Sequence, residues 1–295
     1  MKKYSLRQAP EQLSHGDLEE FEQRGFIAFK NVLSKTEVAD LKAAMYDTCL
    51  NAVNGVELGS HILNTYHEGA YLRYVIENTH SRLAVQFEEG INPFDKSIQK
   101  LDVKYRKLMN FINSDDRFKK LAIHKTLLTY RDQLFGEDSI LFQDMALSKP
   151  AKIGVSKPWH QDNAYFLSTP LDKVVGIWIA VDDATIENGC MQMIPTSRED
   201  IKAYEHIIGS DCEIAETDLD LERKEYVEVR AGGAIFFYGM VPHYTAPNRS
   251  NHGRRALQLH YKGINNKDVS PEEYDQIFKT VEGQPAACPH IRGNK

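Results

Sequence analysis

The chain has 295 residues, 42 % hydrophobic and 26 % charged, the balance of an ordinary globular protein. Lys and Arg number 36 against 42 Asp and Glu, giving a formal charge of −6. That mild acidity excludes a basic footprint for nucleic acid and a polybasic membrane patch. The four cysteines, Cys49, Cys190, Cys212 and Cys288, are far apart and form no CxxC pair. Neither a disulfide framework nor a structural zinc site is expected from them, and a reducing, cytoplasmic setting is. The N-terminus carries no apolar signal segment, and no run reaches the roughly 18 apolar residues of a membrane span.

In chain order, Ser14 and Asp17 read as a capping box opening a helix, with Leu18 and Phe21 inward and Gly25 as its stop. Phe26 to Val32 reads as a strand. Ser34 and Glu37 form a second capping box, for a helix to about Met45. Residues 50 to 100 give no clear periodicity. Helical spacing returns at about Asp102–Ile112 and again at Arg117–Phe135, where Gly136 ends it. Beyond Gly136 the chain becomes β-rich, with runs at Ile140–Leu147, Val174–Val181, Met191–Ile194, Tyr226–Val229, Ala234–Tyr238 and Arg255–Tyr261. Helices first and strands later point to a mostly β sandwich or barrel with a helical layer outside it. The polar stretch from about Arg198 to Lys224 is long enough for a lid or an insertion.

A lone histidine is usually a surface or hydrogen-bonded group, the reading taken for His15, His80, His206 and His290. His160 and His243 stand in different surroundings. His160 and Asp162 are two apart in Lys-Pro-Trp-His-Gln-Asp, so on an extended segment both side chains point one way. A third ligand must come from a distant strand. His243 is the candidate, just past the apolar strand Ala234–Tyr238. Two histidines and a carboxylate make the facial triad of non-haem Fe(II) oxygenases, which leaves three of six positions for a bidentate 2-oxo acid and dioxygen. Arg254-Arg255 follows eleven residues later, and a guanidinium there suits the distal carboxylate of 2-oxoglutarate. Alternation puts Arg254, Ala256 and Gln258 on one face and Arg255, Leu257 and Leu259 on the other, without saying which is inward.

At this point the sequence resembles the phytanoyl-CoA dioxygenase family of Fe(II)/2-oxoglutarate oxygenases. The resemblance rests on Gly25–Ser34, on Pro158–Asp162, on the run from Gly176 to Pro195, and on His243 to Arg255. It implies a double-stranded β-helix, a cupin-like jelly roll with an N-terminal helical layer. Its domain would span 1–295, with helical support over about 1–136, a β-helix core over about 137–265 and a tail over 266–295. His160, Asp162 and His243 match the iron ligands. Arg254 and Thr245 match the residues that hold the 2-oxoglutarate tail, Trp178 matches a cosubstrate-lining tryptophan, and Met145 and Lys100 match cosubstrate contacts. The cofactors implied are Fe(II), 2-oxoglutarate and dioxygen, with ascorbate in support. Asp162 fills the position that chloride takes in related halogenases, so the resemblance implies hydroxylation or desaturation.

Around this core, Tyr165 and Phe166 suggest an aromatic substrate wall, and Gln143 and Gln258 polar substrate contacts. The family often continues Pro-Gly-Ser-His where this chain has Pro195-Thr196-Ser197-Arg198, and Arg198 hints at an anionic substrate group. Acidic residues over 211–225 oppose a polyanion such as acyl-CoA and favour a small metabolite or a natural-product intermediate. Two other classes compete. A zinc hydrolase or lyase could use the same three ligands but would need a positioned carboxylate base, and no HExxH element is present. A non-catalytic jelly-roll binding protein would not need the triad together with Arg254. The sequence does not indicate the oligomeric state.

Overall fold

A computed structural model describes residues 1–55, 61–68, 71–78, 82–95, 97, 104–209 and 211–291. Its frame is a ten-stranded sheet and a four-stranded sheet, the layered arrangement of the expected jelly roll. The large sheet runs Arg7–Gln8, Phe26–Lys30, Ala234–Tyr238, Val174–Ala180, Arg254–Gly263, Ser139–Lys149, Tyr105–Met109, Leu83–Phe87, Tyr71–Asn78, His61–Glu68. The small sheet runs Glu225–Val227, Met191–Met193, His243–Thr245, Lys157–His160. Every residue of Val174–Ala180 and of Ala234–Tyr238 is buried, because these strands are central and covered on both faces.

The helices pack on this frame. His15–Arg24 starts at the Ser14–Asp17 capping box and ends at Gly25, whose φ is 72°. A Cβ there would lie 2.5 Å from both the Thr196 carbonyl oxygen and Val241 Cγ2, so only glycine fits this stop. Lys35–Gly55 is helical well past the expected end at Met45 and buries Cys49 and Ala52 in its added turns. The helical stretch before Gly136 is two helices, Asp116–Ala122 and Lys125–Phe135.

Two sequence expectations are corrected here. Tyr105–Met109 is a strand, not a helix, paired with Leu83–Phe87 and Ser139–Lys149. Tyr105, Leu108 and Ile112 satisfy a helical period, and two flanking strands override it. The first 136 residues are therefore not only a helical support, since they also extend the large sheet. Secondly, Cys212 and Cys288 form a disulfide with their Cα atoms 5.9 Å apart, across 76 residues. Sequence spacing carries no information on such a pairing, and the reducing setting inferred from it loses its basis. The bond fastens the C-terminal segment, whose Tyr274, Phe278, Ala286 and Ala287 share a core with Ala164, Ala203 and Met240. Closing so long a loop is worth on the order of 4 kcal/mol in chain-entropy terms. Alkylation under denaturing, non-reducing conditions should label Cys49 and Cys190 alone, and mass spectrometry showing four labelled thiols would remove the bond.

Among the described residues no helix is long and apolar enough to cross a membrane. The stretch 198–224, apart from residue 210, holds a short hairpin of Ile207–Ile208 with Cys212–Glu213 and two short 3₁₀ turns. It packs against the strand that carries His160, through a hydrogen bond from the Ile214 N–H to the Trp159 carbonyl at 2.7 Å.

Candidate metal centre

His243 and His160 are direct partners across the small sheet. Each ring is oriented by its own chain. His160 Nδ1 lies 2.8 Å from the Pro158 carbonyl and His243 Nδ1 lies 2.9 Å from the Val241 carbonyl. A carbonyl accepts only from an N–H, so the proton is assigned to Nδ1 in both rings and the Nε2 lone pairs are free. Both Nε2 atoms face Asp162 Oδ1, at 3.4 Å from His160 and 3.6 Å from His243. One donor atom from each of the three residues lies within 4.8 Å of the others, and all three side chains are buried. Ligands at about 2.1 Å from one ion stand about 3 Å apart at right angles, so this spacing suits a shared octahedral ion.

Asp162 reaches this point because Gln161, before it, is extended (φ −110°, ψ 133°), which carries the pleat one residue past the strand. Gln161 is fully buried and is held on all sides. Its N–H donates to His206 Nε2 at 3.0 Å, its amide donates to the Lys202 and Met240 carbonyls at 2.8 and 2.6 Å, and its Oε1 accepts from the Tyr204 N–H at 3.0 Å. The C-terminal segment supports the following turn, with Tyr274 OH donating to the Asn163 carbonyl at 2.8 Å and the Cys288 N–H to that of Ala164 at 3.0 Å. His206 is thus a buried, hydrogen-bonded histidine, as read from the sequence.

Burial pushes the His160 imidazole down to about 3 and lowers His243 as well. Burial alone would raise the Asp162 carboxyl, but the imidazoles of His243 and His260 and the hydrogen bonds around it hold it well below the usual carboxylate range. Neutral imidazoles beside an anionic carboxylate are the protonation states a divalent cation needs.

Arg254 lies on the same strand face as Gln258, and that face is inward. Arg254 is 2 % exposed, and its Nε and Nη1 are buried without a hydrogen-bond partner among the described residues. It lies 5.2 Å over the Trp178 ring and makes no ion pair among the described residues. Burial lowers it only to about 10, so it stays charged. A buried cation with idle donors is costly unless an anion completes it. Lys149 is its cross-strand partner and donates to the Val155 and Thr245 carbonyls. Arg255, on the outer face, is bound to Asp182 at 2.7 and 3.0 Å.

The remaining expected residues divide. Trp178 and Met145 are the cross-strand neighbours of Gln258 on either side, which sets them on the inward wall. Thr245 is buried opposite Met191 and Lys157. Tyr165 lies edge-on to His160 at 6.1 Å and meets Lys157 Nζ at 2.6 Å. Phe166 packs edge-on against His260 at 4.9 Å, and Gln143 is the cross-strand partner of His260. Gln258 is bound to Asp162 Oδ2 at 3.1 Å, which gives it a neighbour the sequence did not suggest. Arg198 pairs with Asp172 at 2.7 Å and Glu22 at 3.0 Å above the Tyr238 ring. Lys100 and His80 lie outside the described residues. The sequence missed His260, fully buried, with Nε2 at 2.8 Å from Asp162 Oδ2.

With this geometry in place, the comparison with known proteins is direct. The sequence profile of the phytanoyl-CoA dioxygenase (PhyH) family matches residues 21–256. The chain belongs to the phytanoyl-CoA dioxygenase family. That membership makes it an Fe(II)/2-oxoglutarate-dependent dioxygenase. A "Phytanoyl-CoA dioxygenase domain-containing protein 1 homolog" of Caenorhabditis briggsae is 26 % identical over 87 % of this chain and 93 % of its own. A "Phytanoyl-CoA dioxygenase" of Arabidopsis thaliana is 25 % identical over 84 % and 88 %. Among solved structures, EctD from S. alaskensis with 2-oxoglutarate and 5-hydroxyectoine aligns at TM-score 0.64 and 17 % identity, covering 94 % of this chain and 86 % of that one. The non-heme alpha ketoglutarate dependent carbocyclase SnoK from nogalamycin biosynthesis aligns at 0.62 and 19 %, covering 90 % and 89 %. These likenesses establish the jelly-roll fold for this member of the family.

Proposed function

We propose that the protein hydroxylates, or desaturates, an unactivated C–H bond of a small metabolite or natural-product intermediate, with 2-oxoglutarate decarboxylated to succinate and CO2. His160 Nε2, His243 Nε2 and Asp162 Oδ1 would hold Fe(II), and Arg254 the distal carboxylate of 2-oxoglutarate. The observation that carries this reading is the buried Arg254, with two idle donors, on the same strand face as Gln258, which contacts Asp162 of the three-ligand cluster. A zinc hydrolase would also need a positioned carboxylate base, and no HExxH element is present, while a binding protein would not need the cluster together with Arg254.

Iron held by these three residues would, with cosubstrate and dioxygen, supply the oxidising power, so no side chain need serve as general acid or base. This chain's residues bind and orient. Trp178 holds the Arg254 cation over its ring, 5.2 Å from the centroid, while Met145 and Thr245 complete the cosubstrate wall. Tyr165, Phe166 and Gln143 flank the His160 and His260 side and are assigned to the substrate. Walls of this kind exclude water from the reacting carbon. The neighbours' 2-oxoglutarate and 5-hydroxyectoine support a small hydroxylated product.

Protein stripped of metal should release succinate from 2-oxoglutarate in air when given Fe(II) and ascorbate, and not when given Zn(II). Succinate formation that is indifferent to the metal, or absent with both, removes the proposal.

A further inference from the structure

We propose that His260 and Gln258 form a donor clamp on Asp162 that fixes it as a one-oxygen ligand, through Oδ1, and thereby sets the metal affinity of the site. The inference rests on the three-ligand reading above. The two carboxylate oxygens have different neighbours. Oδ1 faces the Nε2 atoms of His160 and His243. Oδ2 faces away from them, with His260 Nε2 at 2.8 Å and Gln258 Nε2 at 3.1 Å.

Both clamp residues project from the strand that carries Arg254, at alternate positions on one face. Their side chains are buried, His260 completely and Gln258 to 4 % exposure. The His260 ring is held by Phe166, Phe142 and Phe237, with centroids at 4.9, 6.2 and 6.4 Å. Its Nδ1 has no hydrogen-bond partner among the described residues. A proton on Nδ1 would be a buried, unpaired donor and would turn the Nε2 lone pair against the carboxylate. The proton therefore belongs on Nε2, donating to Oδ2. Gln258 Nε2 lies 3.1 Å from Oδ2 and 2.9 Å from His260 Nε2, so the two crowd one side of that oxygen and His260 makes the shorter contact. The reversed amide would set its oxygen against Oδ2.

With Oδ2 turned toward these two donors, Oδ1 is the oxygen presented to the imidazoles and to an ion. A carboxylate free to rotate could chelate through both oxygens and take a position that the cosubstrate and dioxygen require. Partners of a ligand behind the metal commonly change affinity by about 10–100-fold. His260 and Gln258 are positioning residues, since they act through Asp162.

The test is a calorimetric and visible-absorption titration of the full-length, metal-free protein with Co(II). His260→Phe keeps the aromatic packing and removes the donor, and Gln258→Met does the same for the amide. Each should weaken Co(II) binding by about 10–100-fold and alter the Co(II) absorption band, and His260→Gln should restore part of the affinity. Should His260→Phe fail to fold, by circular dichroism, Gln258→Met decides the matter. Wild-type affinity in the folded clamp variants, with Asp162→Ala unable to bind, overturns the clamp alone. Wild-type protein that binds no Co(II), or Asp162→Ala that binds it normally, overturns the three-ligand reading instead.

Discussion

Asp162→Ala is expected to abolish iron binding at micromolar metal and to lower 2-oxoglutarate consumption at least about 1,000-fold. The other two ligands are neutral imidazoles, because burial holds His160 and His243 unprotonated. Asp162 alone brings negative charge to the cluster. Its loss removes a third of the ligand set and all of its charge, and leaves the His260 and Gln258 donors facing an empty space. Thermal melting gives a readout independent of turnover. A ligand at 100 times its Kd stabilises the folded state by about 2.7 kcal/mol, so Fe(II) or Co(II) should raise the wild-type Tm by several degrees. The variant should show no metal-induced shift. An equal shift in both proteins would place the ion elsewhere.

What the sequence revealed and concealed follows from the range over which each signal acts. His160 and Asp162 were legible because two residues of extended chain suffice to align them, and Gln161 is indeed extended. His243 and Arg254 were legible because their chemistry restricts the residue type and each borders a strongly apolar strand. His260 was not. A histidine inside Leu-Gln-Leu-His-Tyr reads as a core residue, and its partner lies 98 positions away through a pairing that no local pattern encodes. Gln258 was noticed for its face, yet its role needed the position of Asp162. Residues 105–109 failed for the opposite reason, since a local period was present and two neighbouring strands outweighed it. The strands His61–Glu68 and Tyr71–Asn78 mix polar and apolar residues without strict alternation, so periodicity could not find them. The helix starts at residues 15 and 35 were set by capping boxes, the most local signal of all.

Arg254→Met separates cosubstrate recognition from metal binding. Removing one partner of a buried, hydrogen-bonded charge pair costs about 2–5 kcal/mol, a loss of about 30- to 4,000-fold in 2-oxoglutarate affinity. Iron binding should be unchanged, since the guanidinium is no part of the ligand cluster. A matched probe isolates the charge. 2-Oxovalerate keeps the chelating 2-oxo acid and replaces the distal carboxylate by a methyl group, so its affinity should be nearly equal in wild type and variant. The same substitution carries a second sign. In the free protein Arg254 is a buried cation with two idle donors and no ion pair among the described residues. Methionine has similar length and no desolvation cost, so the unliganded variant should melt at or above the wild-type temperature while binding 2-oxoglutarate far more weakly. A fall in the unliganded Tm would mean that Arg254 already has a stabilising partner in the free protein. Equal 2-oxoglutarate affinity in the two proteins would remove the guanidinium from the cosubstrate site.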